Sequence, residues 1–461
     1  MSWPRSTNGV QLVTIHSREA QPATAFANGS ARALVLRLEA MRKHFRLSSA
    51  RKCSSSSNGR RRRTQPAPIG LVRLGAIAAA AVIALGACVS GSTGAGSIAA
   101  QPPTASMKPQ GSVGAGEGQL NLIALPGYVD ASWTNPFTSA TGCKVTPKYV
   151  TSWDEMVTTM KGGGGGQWDM ISATGDAGLQ LIYNGDVKPM NTTLIPDWTT
   201  NFQTYFKGPT YNTINGIHYG ISLQWGPNVL LYSTKKFPTA PTSWSVIYDA
   251  SNKGVVTVPD NPMQIADAAL YLMKSQPSLN IKDPYELTQK QFDAAVALLL
   301  QERPLINKYW ALATDEINLF QSGIDLVGAA SLYQSIFLKA SNVAVADTIP
   351  SEGATGWGDT WMLATKAPHP NCAYLWTAWV STPKVQAEQA ILYQETPVNI
   401  KACAEMEAIQ PGSCAQYHVN PPASYLDPIR FWKTPLATCD DGTQNCIPYS
   451  QWQTAWTSVT A

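Results

Sequence analysis

The stretch Gln119-Leu-Asn-Leu-Ile-Ala-Leu125 is an apolar run that ends at a Pro-Gly turn, and it predicts a buried first strand. Two further runs follow it, Lys144-Val-Thr-Pro-Lys-Tyr-Val150 and Trp168-Asp-Met-Ile-Ser172. Residues 131–140 and 153–160 lie between these runs and predict helices. Strand and helix therefore alternate, which predicts an α/β fold with a parallel, doubly wound sheet.

The alternation continues through the rest of the chain. Residues 219–233 predict two strands that meet at Trp225-Gly226-Pro227, and residues 254–259 and 327–331 predict further strands. Residues 264–274, 288–301, 370–380 and 383–393 predict helices. The five glycines 162–166 follow a helix and lack the Gly-Lys-Ser/Thr ending of a phosphate loop, so they predict a flexible loop.

Charge is unevenly distributed along the 461 residues. The first 88 residues contain 14 of the 34 Lys and Arg residues but only two acids, Glu19 and Glu39. The remainder has 20 Lys and Arg residues against 28 Asp and Glu residues, a net charge of −8, and its only arginines are Arg303 and Arg430. This composition argues against nucleic-acid binding, and the acidic balance favours a cationic partner.

The N-terminal region has the features of an export signal. Residues 74–87 form an apolar run, shorter than the roughly 20 residues of a membrane span, and five arginines precede it, at positions 60–63 and 73. The run ends in Leu85-Gly86-Ala87-Cys88, which resembles a bacterial lipobox. We expect residues 1–87 to be a basic leader and signal peptide, Cys88 to carry a lipid, and residues 88–117 to form a flexible tether. An ordinary cleaved signal with an incidental cysteine is the alternative.

Six cysteines follow Cys88, and an even number in an exported chain indicates disulfides. Six cysteines allow 15 connectivities, so the pairing stays open. A zinc site is a weak alternative because no Cys-x-x-Cys pair occurs, and we expect no metal. The short spacings suggest two local pairs, which leaves one long-range pair: Cys403–Cys414, Cys439–Cys446 and Cys143–Cys372.

A series of short motifs occurs between about Leu120 and Asn399. They are Tyr128-Val, Thr141-Gly-Cys-Lys-Val145, Trp168-Asp-Met-Ile171, Gln224-Trp-Gly-Pro227, Trp357-Gly-Asp359 and Thr396-Pro-Val-Asn399. In this order they resemble the spermidine/putrescine-binding periplasmic proteins of ABC importers. The resemblance implies a type II periplasmic-binding-protein fold, with two lobes that are each a mixed sheet flanked by helices and with the ligand cleft between them. It places lobe 1 at 118–226 with 356–405, and lobe 2 at 227–355 with 406–461.

The resemblance also implies a function. It implies a lipid-anchored substrate-binding subunit, in the periplasm or at the outer face of the cytoplasmic membrane. This subunit would capture a small cationic amine, a polyamine such as putrescine or spermidine or a related nitrogen compound, and deliver it to the ABC permease. It implies a monomer without a cofactor and without enzymatic activity. The chain also lacks the Gly-x-Ser-x-Gly and His-Glu-x-x-His motifs of hydrolases.

The resemblance assigns candidate ligand-binding residues. Asp359 matches a carboxylate that binds an amine, and Trp357 matches an aromatic face for its alkyl stem. Residues two apart on a strand share a face, so both side chains would face one cleft. For each position the alternative is an ordinary core residue, and Trp225 would serve equally well in hinge packing. Further pocket positions fall on Tyr128, Thr174, Asp176, Trp225 and Tyr393.

Three departures from the family pattern leave the ligand open. Asn261 and Gln264 stand where polyamine binders carry two acids, and Gly127 replaces a third acid. The pocket would be roomier and less anionic than a spermidine site. A receptor for another small solute, such as an amino-acid-like compound or ferric iron, is therefore the alternative, and a secreted hydrolase is a weaker one.

Overall fold

The computed structural model describes residues 101–150 and 152–461. The predicted leader, signal peptide and Cys88 lie outside the described residues. Within this part of the chain, no helix is long and apolar enough to cross a membrane. The strands are β1 (Gln119–Ala124), β2 (Lys144–Tyr149), β3 (Met170–Thr174), β4 (Thr213–Ile214), β5 (Ile217–His218), β6 (Gly220–Ser233), β7 (Val256–Pro259), β8 (Ile306–Trp310), β9 (Val327–Ser331), β10 (Val345–Thr348), β11 (Ala354–Leu363), β12 (Thr396–Pro397) and β13 (Ile429–Phe431).

The helices occupy the connections between these strands. Gly175 follows β3 directly, so the first turn of the next helix begins where that strand ends. The α-helices are α1 (Ala131–Thr141), α2 (Trp153–Met160), α3 (Gly175–Tyr183), α4 (Pro196–Thr200), α5 (Gln264–Ser275), α6 (Gln289–Glu302), α7 (Ala313–Ser322), α8 (Leu332–Ala340), α9 (Pro370–Val380), α10 (Pro383–Tyr393), α11 (Ala402–Ile409), α12 (Ser413–Gln416), α13 (Ala423–Leu426) and α14 (Tyr449–Thr460).

Most of the strands form one mixed sheet in the order β2-β1-β3-β11-β6-β9-β7-β8. The strands β2, β1 and β3 are parallel, and so are β9, β7 and β8. Between these two groups, β11 and β6 run antiparallel to each other, β11 is antiparallel to β3, and β6 is antiparallel to β9. The α/β class and the mixed sheet are therefore as predicted.

The strand β6 links the two groups. Its residues 220–227 pair with β11, and its residues 228–232 pair with β9. The sequence predicted two strands meeting at Trp225-Gly226-Pro227, and this is wrong: β6 is one continuous strand of 14 residues. Pairing of β6 with neighbouring strands on both sides keeps its backbone extended across Trp225-Gly226-Pro227, although this tripeptide has the composition of a turn. The lobe boundaries, 118–226 with 356–405 and 227–355 with 406–461, stay a prediction.

Apolar side chains pack on both faces of the sheet. Around β1, β3 and β11, Phe137 and Trp361 each lie edge-on against Trp376, with ring centroids 5.2 and 5.7 Å apart. Around β7 and β9, Val256, Val258 and related side chains form a separate buried cluster. Each group of parallel strands therefore has its own core.

Three disulfides join the six described cysteines. Cys143–Cys372 has a Cα–Cα distance of 5.8 Å and closes a sequence separation of 229 residues. The pairs Cys403–Cys414 and Cys439–Cys446 close short loops with separations of 11 and 7 residues. The structure therefore contains the pairing that the sequence spacings suggest. The long-range disulfide joins the end of α1 to α9, on the β1–β3 side of the sheet.

The glycine run, which the sequence predicts to be a flexible loop, forms a short 3₁₀ turn over Gly163–Gly166. All five glycines have φ between 61° and 77°, which a residue with a side chain rarely adopts. The amides of Gly162 and Gly163 donate to Asp186 Oδ1 at 2.7 and 3.2 Å. The run is therefore a compact turn held by a carboxylate more than twenty residues away.

Candidate functional site

The candidate site forms where β1, β3 and β11 come together. Tyr128 follows β1, Thr174 ends β3, and Asp359 lies opposite Thr174 in the β3–β11 ladder. Asp176 lies in the first turn of α3, directly after β3. The fold therefore brings together four of the predicted ligand-binding residues. This position fits the general rule that open α/β sheets bind ligands beyond the carboxyl ends of their strands.

A tyrosine links two acidic side chains in this site. The phenol of Tyr128 donates a hydrogen bond to Asp359 Oδ2, and its oxygen lies 3.4 Å from Glu395 Oε2. Asp359 is 2% exposed, and its Oδ1 has no hydrogen-bond partner among the described residues. Burial raises the pKa of Asp359 to about 7, because Asp176 adds to the desolvation and the Tyr128 hydrogen bond only partly opposes it.

Glu395 is a further acid of the site that the sequence analysis did not identify. Desolvation, and then the nearby Asp359 carboxylate, raise the pKa of Glu395 well above its ordinary value. With its amide in the orientation that satisfies both polar atoms, Gln224 donates to Glu395 Oε2 at 2.5 Å. Glu395 lies two residues after the predicted Tyr393, and that proximity was the available signal. Glu395 therefore gives the site a further acidic side chain, and it comes from a segment in which the sequence analysis expected only Tyr393.

Asp176 forms a second acidic centre. The hydroxyl of Thr174 donates to Asp176 Oδ1, while Asp176 Oδ2 has no partner among the described residues. Asp176 is 1% exposed. Burial raises the pKa of Asp176 to about 6, although the Thr174 hydroxyl and the backbone amides of the helix start oppose the shift.

Tyr393 closes one side of the site. Its ring lies edge-on against Tyr128, with centroids 5.4 Å apart, and its hydroxyl has no partner among the described residues. A Cβ atom added to Gly127 would lie 1.3 Å from the Tyr393 oxygen. Glycine therefore replaces the expected acid at 127 because the phenol occupies the space that a side chain would need.

The other predicted residues lie outside this group. Trp225 is buried in an aromatic cluster, stacked on Phe206 with centroids 5.3 Å apart, so it packs at the middle of β6. Asn261 accepts a hydrogen bond from the Met263 amide at 2.9 Å. These contacts give Trp225 and Asn261 structural partners of their own.

Gln264 and Trp357 face the β7–β9 side of the sheet. Gln264 Nε2 donates to Asp267 Oδ2 at 2.5 Å, so an acid lies beside the position where the sequence shows an amide. The ring of Trp357 lies over Gly226, where a Cβ atom would be 2.7 Å from the ring. Trp357 also packs against the cluster that contains Met263 and Trp432.

The acidic group has no protein cation to balance it. Among the described residues, no lysine, arginine or histidine forms an ion pair with Asp176, Asp359 or Glu395. Buried carboxylates without a cationic partner are costly unless they hold protons or bind a cation. Two of their oxygens and the Tyr393 hydroxyl are free acceptors, so the arrangement can bind an ammonium group.

The raised pKa values predict that stability depends on pH. An aspartate whose pKa is raised on folding stabilises the native state below its unfolded pKa, near 4, and this contribution is lost as the pH rises through its folded value. We expect Asp359→Asn to gain stability relative to the wild type by up to about 1.4 kcal/mol per pH unit between pH 4 and 7. Urea unfolding of the ligand-free proteins at several pH values measures this difference. Parallel stability curves would contradict it, and the exposed Asp293→Asn is the control that should show no such gain.

Acidic side chains grouped near the ends of parallel strands are a common arrangement for a small-molecule binding site in an α/β sheet. The model of the bacterial extracellular solute-binding protein family matches residues 132–412. The chain belongs to this family. The family and the structural neighbours are solute-binding proteins, not enzymes.

Similar proteins include binding proteins for several solutes. The putrescine/agmatine-binding protein of Pseudomonas aeruginosa is 25% identical over 237 residues, which cover 48% of this chain and 62% of that protein. A spermidine/putrescine ABC transporter protein from Listeria monocytogenes is similar in structure, with a TM-score of 0.61, 17% identity, and coverage of 74% of this chain and 98% of that one. The binding protein MotA of A. tumefaciens B6, solved with glucopine, has a TM-score of 0.57 and 15% identity over 74% and 100% of the two chains. These structural neighbours have the two-lobe periplasmic-binding-protein fold, as the sequence predicts.

Proposed function

We propose that this protein is the substrate-binding subunit of an ABC importer and that it captures a small cationic amine. The observation that carries the proposal is the group of three acids, Asp176, Asp359 and Glu395, which has no cationic partner among the described residues. Similarity to a putrescine/agmatine-binding protein supports the same ligand class.

An ammonium group suits this site in charge and in hydrogen-bonding capacity. It donates three hydrogen bonds, and Asp359 Oδ1, Asp176 Oδ2 and the Tyr393 hydroxyl are unused acceptors. An ammonium ion also favours the ionised carboxylates, so binding releases the protons that burial retains.

Closure of the two lobes would hold the ligand and prepare the protein for delivery to the permease. A ligand that contacts both sides of the cleft binds the closed form better than the open form, and so shifts the population toward closure. The permease can then distinguish the loaded protein by its shape. The single strand β6, shared by both groups of strands, is where such a motion would bend.

A solute with one cationic centre and neutral polar groups is the second candidate. Asn261 and Gln264 supply amides instead of acids on the β7–β9 side, and a structural neighbour was solved with glucopine. An amino-acid-like compound would match such a site. The two candidates differ in whether a second ammonium improves binding.

A ligand panel tests the proposed function. The purified protein would be titrated calorimetrically with putrescine, agmatine, spermidine, 4-aminobutyrate and a neutral sugar. We expect saturable binding of at least one amine, together with a rise in Tm, because a ligand that binds only the native state stabilises it by about 2.7 kcal/mol at 100 times its Kd. Binding of the sugar but of none of the amines would refute the amine receptor. Better binding of 4-aminobutyrate than of putrescine would favour the second candidate.

Membrane attachment through Cys88 is part of the proposal. The Leu85-Gly86-Ala87-Cys88 sequence supports it. We expect Cys88→Ser to move the protein from the membrane fraction to the soluble fraction of cells, because the sulfur that carries the lipid is gone. Immunoblots of the two fractions measure this, and Ser90→Ala, in the predicted tether, is the control. A processed Cys88→Ser protein that stays with the membrane would contradict the lipid anchor.

A further inference from the structure

A second acidic centre lies on the β7–β9 side of the sheet and is made of residues that the candidate site does not use. It consists of Asp267 on α5 and Glu302 at the end of α6. Glu302 is 1% exposed, and neither of its carboxylate oxygens has a hydrogen-bond partner among the described residues. No lysine, arginine or histidine in the described part of the chain forms an ion pair with either acid. The protein itself therefore supplies no cation for this centre.

Asp267 is oriented by two neighbouring side chains. Thr355 Oγ1 donates to Asp267 Oδ1 at 2.5 Å, and Gln264 Nε2 donates to Asp267 Oδ2. Thr355 in turn accepts a hydrogen bond from Asn228 Nδ2 at 2.7 Å. Each oxygen of a carboxylate can accept about two hydrogen bonds, so Asp267 can accept more than these two donors supply. Asp267 is only partly buried, so its carboxylate is not sealed inside the core.

The two acids of this centre influence each other. Desolvation raises the pKa of Asp267 to about 7, although the hydrogen bonds from Thr355 and Gln264 oppose the shift. Desolvation, and then the charge of Asp267, raise the pKa of Glu302 to about 8. The two carboxyl groups are therefore close enough to repel each other when both are ionised. A bound cation would relieve this repulsion and favour the ionised forms.

One face of β11 connects this centre with the candidate site. Residues two apart on a strand share a face, so Thr355, Trp357 and Asp359 point to the same side. Thr355 holds Asp267, and Asp359 belongs to the first group of acids. Trp357 therefore lies between two carboxylates, one toward each end of this face.

Contacts from β6 support this arrangement. Its alternate residues Gln224, Gly226 and Asn228 share a face in the same way. Gln224 reaches the first group of acids, and Asn228 donates to Thr355 in the second. Between them, the ring of Trp357 lies over Gly226, where a Cβ atom would be 2.7 Å from the ring. The absence of a side chain at 226 thus makes room for the tryptophan between the two acidic centres.

The spacing along this face fits a short diamine. Thr355 and Asp359 are four residues apart on an extended strand, which is about 13 Å. A hydrogen bond of about 3 Å at each end leaves roughly 7 Å between two ligand nitrogens. A diamine of the length of putrescine spans such a distance, and its apolar stem would lie along Trp357.

We propose that Asp267 binds the second ammonium group of a diamine whose first ammonium group is bound at Asp359. This inference rests on the proposed function, because both carboxylates act on the same ligand. The family resemblance expects acids at positions 261 and 264, where this chain has amides. The acid stands instead one helical turn farther along α5, with Gln264 orienting it. Of the two ligand classes proposed above, this subsite selects the diamine.

A matched pair of ligands tests the subsite. Putrescine and butylamine have the same carbon chain, but only putrescine has a second ammonium group. At pH 8 the Asp267 carboxyl is mostly ionised, because its pKa is about 7. Calorimetric titration of the wild type at this pH should show that putrescine binds roughly 10- to 100-fold more tightly than butylamine, because a charge-assisted hydrogen bond is added. Equal affinities for the two amines would refute the subsite.

Variants test whether Asp267 is the acid that binds the second ammonium group. Asp267→Asn should weaken putrescine binding by roughly 10- to 100-fold and leave butylamine binding unchanged, so the preference between the two amines disappears. Asp359→Asn should weaken the binding of both amines, because both place an ammonium group there. Asp293→Asn, an exposed position on α6, is the matched control and should keep the wild-type affinities for both.

The outcomes separate this inference from the proposed function. If the wild type binds no amine, both fall. If it binds putrescine but the preference over butylamine is absent, or survives in Asp267→Asn, the subsite alone falls. If Asp267→Asn does not fold, Thr355→Val takes its place, because it removes the hydroxyl that orients Asp267. The preference for putrescine should then shrink, and an unchanged preference in Thr355→Val refutes the subsite.

Discussion

Replacing Asp359 with alanine is expected to weaken amine binding by about 1.5–3 kcal/mol, which is roughly a 10- to 150-fold loss in affinity. Asp359 is buried, its Oδ1 is free, and Tyr128 already satisfies Oδ2, so the carboxylate is oriented before the ligand arrives. A preorganised charged acceptor in a buried site contributes more than the same group at the surface. Calorimetric titration with putrescine measures the loss.

Two further variants make this result specific. Asp359→Asn keeps the shape and the hydrogen bond from Tyr128 but removes the charge, so it should lose most of the affinity that the alanine variant loses. Asp293→Ala removes an exposed aspartate on α6 and should bind as the wild type does. Equal affinities for the wild type and Asp359→Ala would remove Asp359 from the site.

Removing the Cys143–Cys372 disulfide should have the largest effect on stability. The double variant Cys143→Ala/Cys372→Ala is expected to lose about 2–5 kcal/mol in the free energy of unfolding. The bridge closes a separation of 229 residues, and a long closed loop restricts the unfolded chain most. Its sulfurs also pack against Gly116, where a Cβ atom would lie 2.4 Å from Cys143 Sγ. Urea unfolding under oxidising conditions measures the difference.

The short disulfides provide the comparison. Cys403→Ala/Cys414→Ala opens a loop with a separation of 11 residues. Chain entropy therefore predicts a loss of stability that is about 2–3 kcal/mol smaller than the loss from removing Cys143–Cys372. An equal or larger loss from the short loop would show that local packing, not loop length, dominates. Ligand affinity should survive both changes, because neither disulfide contacts the site.

The sequence predicted the fold well where local and tertiary signals agree. The helices at 131–141, 153–160, 370–380 and 383–393 lie where the apolar spacing places them, within one residue. The strand β6 was missed as one unit because Trp225-Gly226-Pro227 has the composition of a turn. In the structure Gly226 makes room for the ring of Trp357, and pairing with β11 holds the backbone straight.

The candidate site was predictable only in part. Tyr128, Thr174 and Asp176 lie at or just after the ends of β1 and β3, Asp359 lies within β11, and the family resemblance assigned all four. Glu395 could not be assigned, because its role depends on how the chain after α10 returns to β6, where β12 pairs. Residues 429–434 lie still farther from the predictable region, since nothing in their sequence indicates that Trp432 packs on Gly175. Long-range packing, not local pattern, decides these positions.

The central position of β11 has a consequence for the order in which the chain can assemble. This strand lies between β3 and β6 and starts at residue 354, after more than half of the described residues. A growing polypeptide that has emerged only as far as residue 350 would leave two unsatisfied strand edges, one on β3 and one on β6. Folding is therefore expected to be a late, nearly whole-chain event, and fragments that end before β11 should aggregate rather than fold.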